Sequence, residues 1–132
     1  MFPLTLHFHD SEVKHILQEQ RRLRVVFSAA RVQTAARVAC AFDGYALGLE
    51  LQLVGVLGQP TVFEGFGRLS SGSISVGGPP RSTLLLPSLP FEWEGNTQLR
   101  LRFSQEGIWT ASALSACLCW ENGERLSPAL SC

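Results

Sequence analysis

The chain has no surplus of either charge, almost no lysine and no long apolar run. Its 132 residues carry 11 Lys and Arg against 11 Asp and Glu. A protein whose main partner is nucleic acid is expected to show a basic footprint, so the balance argues against that partner. Lys14 is the single lysine, and the other ten basic residues are arginines. Planar guanidinium groups suit carboxylate and phosphate acceptors. The stretch Ala46 to Leu57 is broken by Gly48, Glu50, Gln52 and Gly55, so it falls short of the ~20 apolar residues of a membrane-spanning helix. The first residues contain no Lys or Arg, and the opening apolar run stops at His7 and His9. No secretory signal and no membrane partner are therefore expected.

Other absences bear on chemistry. The four cysteines, Cys40, Cys117, Cys119 and Cys132, include no Cys-x-x-Cys pair, and so no zinc-ribbon spacing. Cys117 and Cys119 share one face of a strand, a poor arrangement for bridging each other. They read as reduced, buried thiols of a cytoplasmic protein. Gly-x-Ser-x-Gly is missing. Gly65-Phe66-Gly67 has no Gly-Lys-Ser after it and does not form a phosphate loop. No cofactor is expected.

What the chain does have is alternation. Leu4, Leu6 and Phe8 alternate with Thr5, His7 and His9. Leu23, Val25 and Phe27 alternate with Arg22, Arg24 and Ser28, and Leu99, Leu101 and Phe103 with Gln98, Arg100 and Arg102. A period of two is the mark of a strand with one buried face. Many short strands joined by tight turns predict an all-β, single-domain antiparallel β-sandwich or barrel over residues 1–132, with at most one short helix. Residues Ser28 to Ala41, which echo Ala-Ala-Arg-Val, read either as a bulged continuation of a strand or as that helix.

The patterns also predict registers. Matching apolar faces pairs Leu17 with Leu23 across Glu19-Gln20-Arg21 and places His15 on the core side opposite Val25. Asp43-Gly44 reads as a turn, Tyr45 to Leu57 as one strand, and Ser70 to Ser73 as a turn. Trp93 is expected to pair with Leu99 across Gly95-Asn96-Thr97, which sets Glu92 against Arg100. Phe103 is expected to pair with Trp109 across Gln105-Glu106-Gly107. Trp93, Leu99, Leu101, Phe103 and Trp109 should be buried together.

Two clusters resemble a site. His7 and His9 alternate on one strand face and could chelate one metal ion (Zn, Fe or Mn), with Asp10 or Glu12 completing the shell or acting as base. Arg22 with Arg24, and Arg100 with Arg102, project from the solvent faces of their strands and offer bidentate donors to carboxylates.

The opening His9-Asp10-Ser11-Glu12-Val13, the strand ending Phe27-Ser28-Ala29-Ala30, and Leu85-Leu86-Pro87-Ser88-Leu89-Pro90-Phe91 with the strand through Phe103 resemble small bacterial proteins that begin with a His-Asp-(Ala/Ser) turn and a hairpin. Some of these are grouped with toxin immunity proteins. The resemblance implies a stand-alone β protein that acts by binding, and it brings no catalytic residues. The expectation is a non-catalytic module that binds another protein, an immunity or inhibitor protein, through an acidic surface met by Arg22, Arg24, Arg100 and Arg102. The alternative is a metal-dependent enzyme built on His7 and His9.

Overall fold

The computed structural model describes residues 4–34, 43–58, 66–86, 91–105 and 107–120. They form eight strands: β1 (Leu4–Glu19), β2 (Arg22–Thr34), β3 (Asp43–Ala46), β4 (Leu49–Leu57), β5 (Gly67–Val76), β6 (Thr83–Leu86), β7 (Phe91–Phe103) and β8 (Gly107–Trp120). Every pairing is antiparallel, and the order β1-β2-β4-β8-β7-β5 closes back onto β1 as a six-stranded barrel. The two remaining strands extend its wall. β6 pairs with the start of β1, and β3 with the end of β2. Closure removes the open edges that a flat sheet would expose. The described residues contain no helix.

Alternation fills the barrel. Leu6, Phe8, Leu23, Val25, Phe27, Leu49, Leu51, Leu53, Leu99, Leu101, Phe103 and Trp109 are all buried in one core. Trp93 is half-buried and packs against that core rather than inside it.

Several expected turns are strand. Ser28 to Thr34 continues β2, and the rest of the echo, 35–42, lies outside the described residues. Asp43-Gly44 opens β3, where Gly44 pairs with Val32. Tyr45 to Leu57 is split between Ala46 and Leu49, where Gly48 takes φ +78° and Leu47 is exposed. Ser70 to Ser73 lies inside β5, because Leu69 and Ile74 turn inward and the small hydroxyls are left facing out.

Three registers differ from the expected ones, two through the length or place of the turn and one through a bulge that changes the phase of the alternation. In the first hairpin Ile16 pairs with Val25, and the turn shrinks to Gln20-Arg21, with Gln20 at φ +55°. His15 therefore stands opposite Val26 on the outer face, not in the core. β7 does not fold back at Gly95 but runs on through a bulge between Glu94 and Thr97, so Glu92 pairs with Cys117, not Arg100. In the last hairpin Phe103 pairs with Gly107 and Leu101 with Trp109. Gly107, at φ +133°, takes a conformation that an L-residue rarely adopts, and the chain turns one residue earlier than expected.

The opening His-Asp-Ser also has a structural explanation. Asp10 sits at φ +69° and breaks the β1 ladder between His7 and Glu12. Fully buried Ser11 repairs the gap. Its hydroxyl donates to the His7 carbonyl at 2.6 Å and accepts from the Arg31 amide at 2.8 Å. Removing it takes a hydrogen bond from each of two part-buried backbone groups, a loss of up to about 1–3 kcal/mol for a group left unpaired. Ser11→Ala is therefore expected to lower the denaturation midpoint clearly. An unchanged midpoint would assign the repair to other contacts.

Candidate interaction face

The four arginines lie on the outside of the barrel, but in two separate places. Arg24 on β2 stands beside Gln52 on β4, which pairs with Cys117 on β8, which pairs with Glu92 on β7. Arg100 lies eight residues beyond Glu92 along β7, about 25 Å at the usual strand rise. The two pairs therefore do not merge into one cationic patch.

Arg22 and Arg24 are tied into the wall. The Arg24 guanidinium grips Glu50 through two bonds, Nη2 to Oε1 at 2.7 Å and Nε to Oε2 at 3.1 Å. It also lies 3.7 Å from Glu19. Gln52 donates to Glu50 and accepts from Arg22 Nη1 at 3.3 Å. Glu50 is buried although it faces outward, as does neighbouring Val26. Burial alone would raise the Glu50 pKa. Hydrogen bonds from Arg24 and Gln52, with the charges of Arg24 and His15, outweigh that and hold it below the ordinary glutamate value. Glu50 is thus a fixed anion that neutralises Arg24, and this pair acts as structure. The sequence placed Glu50 and Gln52 on one strand face, but their meeting with Arg24 depends on β2 lying next to β4.

Cys117 and Cys119 share the outer face of β8. Burial, followed by the charge of Cys117 and of Glu50, pushes Cys119 up to about 11. Burial also raises Cys117. Both therefore stay protonated at neutral pH, which removes the thiolate that nucleophilic chemistry needs. Cys40 and Cys132 lie outside the described residues.

Arg100 and Arg102 are different. Both are exposed, and among the described residues neither guanidinium makes a hydrogen bond or ion pair. On one side β5 sets Ser73 beside Arg100 and Ser71 beside Arg102. On the other side β8 sets Thr110 and Ile108. Ser71, Gly72 and Ser73 line a shallow depression with the two arginines. The cross-strand neighbours on both sides are small or uncharged, so no acid on β5 or β8 stands directly beside either arginine.

The N-terminal cluster does not gather. His9 is largely exposed, with Nδ1 3.5 Å from Asp10 Oδ2, and Asp10 also holds Arg31 at 3.4 Å. Glu12 accepts from the Ser28 hydroxyl at 2.7 Å. His7 is half-buried, with its Nε2 unpartnered. Among the described residues no three His, Cys, Asp or Glu side chains lie close enough to hold a metal ion. Both carboxylates are engaged on β2 instead, Asp10 with Arg31 and Glu12 with Ser28.

Comparison with known protein families, with curated proteins and with solved structures finds no match. Function must be read from this surface.

Proposed function

We propose that the chain is a non-catalytic protein-binding module of the immunity or inhibitor kind, and that its contact face is the outer surface of β5, β7 and β8. The observation that carries this reading is the Arg100–Arg102 pair, two exposed guanidinium groups on a rigid strand with no acid satisfying them among the described residues. Arginine is favoured at protein interfaces, and two forks held by a sheet offer bidentate contacts to an acidic partner surface. The apolar-in, polar-out wall supports a partner met in water. Raised thiol pKa values and scattered N-terminal ligands support binding rather than catalysis.

Such contacts act through encounter rate and orientation and weaken with salt. The test compares partner capture by the wild-type chain and by R100E/R102E, using extract of the source cell. A partner held by the wild type should be lost by the double variant and by raised salt. The melting temperature should stay nearly unchanged, because neither side chain is tied to the fold. Equal capture by both chains would reduce the arginines to solubilising residues. A large fall in melting temperature would make them structural.

A further inference from the structure

The outer face of β7 carries charge of both signs, sorted by position. On one side of the bulge its outward residues are Glu92 and Glu94; on the other they are Gln98, Arg100 and Arg102. All five are exposed. Beside the middle, adjoining β8 turns a large apolar side chain outward, Leu114, which is 55% exposed. Gly55 stands opposite Leu114 in the β4–β8 register, and a Cβ there would meet the Leu114 side chain at 3.1–3.3 Å. Leu114 therefore lies across a residue without a side chain and is held on the surface.

An acidic end and a basic end along β7, with Leu114 of β8 beside the middle, make a self-complementary face. A two-fold axis in the plane of contact, crossing β7 near Thr97, reverses the strand and lays it on itself. Glu94 and Glu92 of one copy then face Arg100 and Arg102 of the other, and the pairing occurs twice. Because the axis runs across the strands, Leu114 meets Leu114. This is the geometry of an isologous dimer contact. We infer that the partner of this face is a second copy of the chain, packed antiparallel across β7. The inference rests on the reading of this surface as the contact face, and it names where the acidic surface comes from.

The face also sets the strength of the contact. The three strands β5, β7 and β8, about 4.8 Å apart over about ten residues, cover roughly 450–500 Å², well under the ~800 Å² per partner of a standard stable interface. The dimer is therefore reversible and salt-sensitive, and it forms at high chain concentration.

Sedimentation at low salt, from about 1 µM to 1 mM chain, tests this with two variants. R100E/R102E makes all four positions acidic, and E92R/E94R makes all four basic. The wild type should dimerise across that range. Each variant alone should be monomeric, its dissociation constant raised at least about tenfold by like-charge contacts. A 1:1 mixture of the two should recover the dimer, since each supplies what the other repels. Should a reversal fail to fold by circular dichroism, R100Q/R102Q with E92Q/E94Q carries the same comparison, because mixing restores one of the two Arg–Glu halves. A wild type that stays monomeric overturns the inference. So does a dimer that survives in both charge variants, or a mixture that does not recover. The contact face itself is judged separately. A monomeric wild type that still captures an acidic protein, lost on R100E/R102E, keeps that reading and assigns the face to a foreign partner.

Discussion

Arg24→Met is expected to destabilise the fold by about 3 kcal/mol, the low end for breaking a buried ion pair. The loss comes less from the missing attraction than from what remains. Glu50 is almost wholly buried, and among the described residues its carboxylate would keep only Gln52 as a side-chain hydrogen-bond partner. The Arg24 side chain is 29% exposed, so water can reach part of the vacated site and holds the figure below the extreme. Replacing both members, as in Arg24→Met with Glu50→Leu, should recover most of the loss, because two apolar side chains leave no charge stranded. The pair also predicts a pH dependence. Glu50 is lowered in the folded chain, so its contribution is complete above the ordinary glutamate pKa and is lost as pH falls through the lower folded one. Denaturant melts at falling pH should show this in the wild type and not in the double variant. A single variant as stable as the wild type would mean that Glu50 finds another cation.

That pair also marks how far the sequence could be read. Alternation in β1, β2, β4, β7 and β8 is plain, because a wall with a packed inside must repeat every two residues. The all-β class and most of the core follow from it. Register does not, because a bulge costs one residue and leaves little trace in composition. The two-residue turn at Gln20-Arg21 and the bulge beside Gly95 each moved a pairing that apolar matching had set. Strand order is a long-range fact as well. Nothing local shows that β2 lies beside β4, so Arg24 looked like a free cation of the same kind as Arg100. The two arginine pairs are alike in sequence and unlike in surroundings, which is why only one of them remains a candidate contact.

Phe8→Ala is expected to cost about 3–5 kcal/mol, the usual range for removing a buried aromatic ring. The place of Phe8 in the barrel argues for the upper part of it. β1 and β5 pair only through Glu12 with Arg68 and Val13 with Gly67. Carried on, that register would bring Phe8 opposite Gly72, but the ladder has already ended. The ring stands in the seam instead, wholly buried, and a Cβ built on Gly72 would lie 2.7 Å from the Phe8 Cβ and 3.0 Å from its Cγ. Gly72 is therefore required by space, not by backbone angle. Gly72→Val alone should destabilise by about 1–3 kcal/mol or more, as overpacking does. Combined with Phe8→Ala it should destabilise by somewhat less than the sum, because the valine methyls enter the space that the ring vacated, although the Cβ of residue 8, 2.7 Å from the new Cβ, stays and must still shift. Non-additivity of that kind is the signature of two residues sharing one site. Denaturant unfolding of the four chains measures it. Strict additivity would mean that the seam relaxes around each change independently, and that Phe8 does not close the barrel at β5.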